Sequence, residues 1–163
     1  MDAFSVFMVF VLGSTIGSFL NVVIDRLPVK ITTLSGRSQC DSCKRKLTPF
    51  ELIPLFSYVL LMGKCKTCGY KIPFRVFFVE LLVALLAVFL YSQVLLQGMP
   101  LFTAVCIFLI SALFIPIIFI DLKYGIIPDE LTIILTIIVS FFVLQTSSAI
   151  LSHVFSGIVA LLF

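Results

Sequence analysis

The chain has 163 residues, 61% of them apolar and only 12% charged, about half the charged fraction of an ordinary soluble domain. With a mean hydropathy of +1.27, that composition excludes a soluble enzyme and leaves a polytopic membrane protein. The formal charge of +3 hides an asymmetry, because ten of the eleven Lys and Arg lie between Arg26 and Arg75 and the eleventh is Lys123.

A bilayer core about 30 Å thick needs roughly 20 apolar residues as helix, and such runs occur at 3–24, 76–94, 100–121 and 131–146. A fifth, from Ala149 to Phe163, holds fifteen residues and ends without a flanking polar residue, as a span cut short would. The N-terminal Met-Asp-Ala-Phe-Ser lacks the basic region and cleavage site of a secretory signal, so the first run is expected to stay as a helix. The segments 92–100 and 146–148 carry no charge, whereas 26–75 is strongly basic. The positive-inside rule therefore puts the 26–75 loop in the cytoplasm and the N-terminus outside, and alternate threading returns the chain to the cytoplasm at Asp121-Leu122-Lys123-Tyr124-Gly125. This gives transmembrane helix 1 at 1–25, a cytoplasmic cysteine domain at 26–75 and a membrane core at 76–163. The fold expected is an all-α helical bundle, and no internal repeat is evident.

In the first run, Gly13-x3-Gly17 offers a flat strip for close approach of a second helix, and Asn21, Asp25 and Arg26 read as structural anchors at its cytoplasmic end. The loop that follows holds Cys40-x2-Cys43 and Cys65-x2-Cys68 with 21 residues between the pairs, close to the spacing at which two thiolate pairs converge on one tetrahedral zinc. Four thiolates would close the shell, making the zinc structural. Four paired cysteines on a basic loop also suit a reducing compartment, while Cys106, inside an apolar run, reads as a small buried hydrophobe. Between the pairs, Phe50 to Met62 is apolar but too short to span, and Pro49 and Pro54 break its start, so it reads as an interfacial or re-entrant piece.

Glu80 lies inside the second run, where a carboxylate is costly unless it meets a polar interior, so it is a functional candidate. Asp121 falls in the last turn of the third run, against the negative end of the helix dipole. That dipole together with partial burial would raise its pKa toward the range useful for general acid or base work. Pro116 is expected to bend this end and open a polar cavity. Asp129, after Pro128 and before the fourth run, reads as an N-cap. His153 has no second ligand at helical spacing and reads as a packed or lumen-facing histidine.

Taken in order, Gly17-Ser18-Phe19-Leu20-Asn21-Val22-Val23-Ile24-x-Arg26-Leu27-Pro28, the two cysteine pairs, Gly63-Lys64-Cys65-x-x-Cys68-Gly69 and Val79-Glu80-Leu81-Leu82 resemble the type IV prepilin peptidases. The later Asp121-Leu-Lys-Tyr-Gly-Ile-Ile-Pro128-Asp129-x-Leu131-Thr132 is similar to the first aspartate motif of the same membrane aspartyl proteases. The resemblance implies a bacterial cytoplasmic-membrane aspartic endopeptidase that removes the basic leader of prepilins or pseudopilins at the cytoplasmic face. It implies Asp121 as the first catalytic aspartate, Asp129 as the accompanying motif residue and Cys40, Cys43, Cys65 and Cys68 as zinc ligands; Glu80 is read beside them as a supporting residue, with a paired carboxylate closing the membrane face of the loop as the equal alternative. N-methylation of the new terminus would use S-adenosylmethionine. The expected partners are the lipid bilayer and a pilin-like substrate, with no nucleic acid.

The family's second aspartate sits in a Gly-x-Gly-Asp motif, and that motif does not occur in these 163 residues. A carboxylate dyad shares one proton, one member activating water while the other protonates the substrate oxygen, so a fragment, a shortened chain or an inactive homologue is the expectation. The alternatives are a non-catalytic membrane scaffold whose zinc loop binds a partner, and thiol-disulfide exchange by the cysteine pairs.

Overall fold

The structure is a computed structural model that describes residues 2–31 and 38–146. The chain forms α1 (Ala3–Arg26), a 3-10 turn at Pro49–Leu52, then α2 (Phe56–Leu60), α3 (Phe74–Gln97), α4 (Leu101–Tyr124) and α5 (Asp129–Thr146). The four apolar runs within the described residues thus all fold as helices, each long and apolar enough to cross a membrane. Three of them have 24 residues, about 36 Å of rise, so they exceed the hydrocarbon core and carry their ends into the interface. No strand forms among the described residues, only the isolated antiparallel bridges Gln39 to Lys46 and Lys64 to Lys71. The chain is a multi-pass, all-α membrane protein with a cysteine loop between its first two spans. The fifth run and His153 lie outside the described residues.

Lipid tails are as apolar as leucine, so helices in a bilayer associate through close packing rather than hydrophobic exclusion. The Gly13-x3-Gly17 strip does this work. A Cβ on Gly13 would meet Ala84 Cα at 2.8 Å, and α1 with α3 is the most extensively packed pair in the bundle. Toward the end that carries Arg26 and Arg75, Leu20, Ile24, Val79, Val83, Ile115 and Ile120 form one core with Ala112 and Leu131. Cys106 is buried, as expected of a small hydrophobe. α5 joins this core through Leu131, the one buried residue of that helix, and packs mainly on α4.

Three local expectations change. Pro116 is buried inside a helix that runs unbroken from Leu101 to Tyr124. A cavity of about 350 Å³ lies instead toward the opposite end, lined by apolar side chains such as Leu12, Ile16, Leu90 and Phe108, with no part in polar chemistry. Asp129 is the first helical residue of α5 rather than its cap, because Thr132 N–H already bonds to the Pro128 carbonyl at 3.2 Å. Its charge, with that of Glu130, still favours the positive end of the helix dipole.

Candidate functional site

The cysteine loop is built from two congruent turns offset by 25 positions, a repeat that the sequence reading missed. In the first, Cys40 N–H donates to Arg45 C=O at 2.9 Å and Lys44 N–H to Cys40 C=O at 2.9 Å. In the second, Cys65 N–H donates to Tyr70 C=O at 2.8 Å and Gly69 N–H to Cys65 C=O at 3.0 Å. Each turn closes with a left-handed residue, Lys44 at φ 54° and Gly69 at φ 67°. Glycine takes this conformation at no steric cost and lysine does not, so identity at the two closing positions differs while the geometry agrees. In sequence the repeat shows in the cysteine spacing and in Lys46 and Lys71, with Leu47 and Ile72 after them, at the same offset.

The two turns bring the Sγ atoms of Cys40, Cys43, Cys65 and Cys68 within 4.8 Å of one another, with Cys40 and Cys68 at 3.7 Å. Four sulfurs around a zinc with bonds of about 2.3 Å sit roughly 3.8 Å apart, so the cluster has the dimensions of a metal centre. Two of the thiols are shifted in opposite directions. The N–H groups of Cys68 and Thr67 hold the Cys65 thiol down at about 6. Cys43 goes the other way: the Arg45 N–H lowers its pKa, but desolvation and the three neighbouring thiols push it up to about 11. The Arg45 side chain lies against Cys65, and its buried Nε has no protein partner, which leaves a donor beside the sulfurs.

Arg45 is fixed from its other side by Glu51, with Nη2 to Oε1 at 2.7 Å and Nη1 to Oε2 at 3.1 Å. The Thr48 N–H and hydroxyl both reach Glu51 Oε2 at 2.9 Å. The guanidinium first, and then the Thr48 N–H, hold the Glu51 carboxyl at about 2. The sequence reading passed over this pair, although Thr48-Pro49-Phe50-Glu51 has the spacing of a capping box.

Two contacts tie the loop to the bundle. Tyr58 of α2 packs on Phe77 of α3 with ring centroids 5.3 Å apart. Glu80, 5% exposed, accepts the Leu55 N–H at 2.7 Å, and the Ser18 hydroxyl of α1 lies within reach. Its polar partners are therefore on α1 and the loop. Nearby, Arg75 Nη2 holds both oxygens of Asp25 at 2.7 and 2.8 Å, and Nη1 donates to Asn21 Oδ1 at 3.2 Å. Asn21 in turn donates to the Val76 carbonyl at 3.0 Å, so Asn21 and Asp25 anchor α1 to α3 as the sequence suggested. Lys123 of α4 reaches Asp25 at 3.9 Å.

Asp121 sits in the last turn of α4, where its carbonyl accepts the Gly125 N–H at 2.7 Å. Its side chain is exposed, so the partial burial expected from the sequence is not present among the described residues. Asp129 is exposed on the same short connection between α4 and α5.

The model of the bacterial peptidase A24 N-terminal domain family matches residues 11–94. A prepilin leader peptidase/N-methyltransferase of Myxococcus xanthus is 38% identical over 130 residues, covering 80% of this chain and 37% of the relative. One from Bacillus subtilis is 40% identical over 79 residues, covering 48% and 32%. One from Vibrio cholerae is 43% identical over 84 residues, covering 47% and 33%. The chain thus spans between about a third and a half of the length of such relatives. No solved structure matches.

Proposed function

The chain belongs to the type IV prepilin peptidase family, and on that premise we propose that it forms the amino-terminal part of a prepilin leader peptidase. The substrate would be a prepilin or pseudopilin whose basic leader is cut at the cytoplasmic face. The observation that carries this reading is the Myxococcus xanthus match. An alignment of that length within 163 residues necessarily takes in both the cysteine loop and Asp121.

In this proposal Asp121 is one half of a carboxylate dyad, taking or giving a proton while its partner does the opposite. The partner aspartate would come from a Gly-x-Gly-Asp segment outside these 163 residues. Asp129 and Glu80 support the site, Asp129 through the start of α5 and Glu80 by holding the loop against the bundle. Cys40, Cys43, Cys65 and Cys68 would hold one zinc, whose shell of four thiolates supplies rigidity and leaves no open position for water. The relatives' names extend the proposal to N-methylation of the new terminus with S-adenosylmethionine as donor. The charge distribution supports an orientation with the N-terminus outside and both the loop and Asp121 in the cytoplasm.

Leader cleavage in proteoliposomes tests the reading. The chain continued into a segment with Gly-x-Gly-Asp is expected to shorten a prepilin by its basic leader. A folded, membrane-inserted protein of that kind that leaves the prepilin intact would overturn it.

A further inference from the structure

The segment from Leu52 to Met62 has two unlike faces. Inward, Tyr58 packs on Phe77 and its hydroxyl lies 3.5 Å from the Ile72 carbonyl. Outward, Leu52 (44%), Ile53 (40%), Phe56 (57%), Val59 (62%), Leu60 (62%) and Met62 (84%) are exposed. Phe56, Val59 and Leu60 share one face of α2 at helical spacing as an apolar stripe, and Leu52 and Ile53 expose further apolar side chains on the turn just before it. Water would be a poor neighbour for a stripe of this size.

The bundle fixes where that stripe lies. Arg75, paired with Asp25, marks the polar boundary of α3, and Glu80 stands five residues deeper, about 7.5 Å of helix rise. Helical side chains lean toward the N-terminus of their helix, so the Glu80 carboxylate reaches back toward that boundary to take the Leu55 N–H at 2.7 Å. Leu55 is thereby held at the level where interfacial helices ride, about 5–10 Å into the headgroup and acyl boundary. Through Tyr58 the segment meets a row of rings on α3, because Phe77 contacts Phe74, and Phe74 contacts Phe78. Phe74 and Phe78 are exposed side chains of a spanning helix. Exposed Lys64 and Lys66 follow directly in the chain, suited to phosphate headgroups.

We propose that Leu52 to Met62 is a membrane-interface anchor. Its apolar stripe is immersed in the cytoplasmic leaflet and holds the two cysteine turns against the membrane surface. The occupant of the stripe is lipid, not a second protein or another copy of the chain. The inference rests on the bundle geometry, with the side of the membrane taken from the charge distribution, and is independent of the peptidase reading.

The chain contains no Trp, so one introduced indole reports its own surroundings. Phe56→Trp, Leu60→Trp and, on the second cysteine turn, Thr67→Trp are made separately in the 163-residue chain. Each is reconstituted in phosphatidylcholine and phosphatidylglycerol vesicles with bromine near the top of the acyl chains. Bromine is expected to remove roughly half or more of the emission at positions 56 and 60 and little at 67, as for helices seated in the interface. Met62→Trp gives the same reading if the Phe56 variant misfolds. Equal quenching at 56, 60 and 67 would overturn the proposal. So would blue-shifted but unquenched emission at 56 and 60, which would show protein covering the stripe.

Discussion

Gly17 and Glu80 meet backbone to backbone. A Cβ on Gly17 would lie 2.8 Å from Glu80 Cα and 3.1 Å from the Val79 carbonyl oxygen. Neither atom can rotate away, so a side chain there forces α1 and α3 apart at the level where Glu80 holds the loop. Gly17→Val is expected to cost about 1–3 kcal/mol, the usual range for overpacking, and to loosen the loop with it. Thr15→Val, on an exposed position of α1, is expected to be near neutral. Thermal loss of helicity in detergent, measured for both, checks the difference.

The Arg45 to Glu51 pair predicts a specific acid sensitivity. The Glu51 carboxyl is held at about 2 against an ordinary value of 4.5, so the folded loop favours the ionised form. A depressed carboxylate pKa contributes stability that is complete above the unfolded value and is lost as pH falls from there through the folded one. The loop should therefore weaken between about pH 4.5 and about pH 2, and Glu51→Gln should remove the sensitivity along with the stabilisation at neutral pH. Limited proteolysis of the 38–73 segment across that range, in both proteins, reads it out. An unchanged profile in Glu51→Gln would contradict the assignment.

The same arginine bears on the metal. Its buried Nε lies without a protein partner while the side chain contacts Cys65, the position of a group that steadies a thiolate cluster. Groups that support metal ligands in this way are worth about 10–100-fold in affinity. One zinc per chain is expected in protein purified under reducing conditions. Arg45→Ala should surrender that zinc to a competing chelator about tenfold more readily, and Lys46→Ala should behave as the unaltered chain. Protein kept reduced that contains two disulfides and no zinc would remove the metal reading.

Features set by local pattern and spacing were legible in the sequence of this molecule, and individual contacts between distant side chains were not. Four runs of apolar residues became four helices because length and hydropathy are local properties. Gly13 and Gly17 announced a close contact for the same reason, as did the cysteine spacing a cluster. The contact between Glu80 and the Leu55 amide could not be read this way, because it joins positions 25 apart through a bend at a non-glycine residue with φ 61°. Arg75 with Asp25 is a similar case, separated by 50 positions. Asp121 was misread on burial. Its place in the last turn of α4 was correct, but whether a neighbour covers a helix end depends on packing rather than on spacing.

Asp121 needs a second carboxylate to act on a peptide. Peptide hydrolysis by carboxylates needs one group to activate water and a second to protonate the substrate oxygen, and these 163 residues contain no Gly-x-Gly-Asp. By themselves they are expected not to cleave a prepilin. Continued into a segment that supplies that motif, the chain is expected to cleave, and Asp121→Asn in the continued chain should abolish cleavage while leaving zinc content and helicity unchanged. Asp129→Asn should cost much less, because Asp129 only adds charge to the first turn of α5, an effect worth about 0.3–1 kcal/mol. Robust cleavage by the 163 residues alone would call for a different partner. Arg75 already engages Asp25, Arg45 engages Glu51 and the Leu55 amide engages Glu80, so Asp129 would be the first variant to retest. Full activity of Asp121→Asn in the continued chain would take Asp121 out of the mechanism.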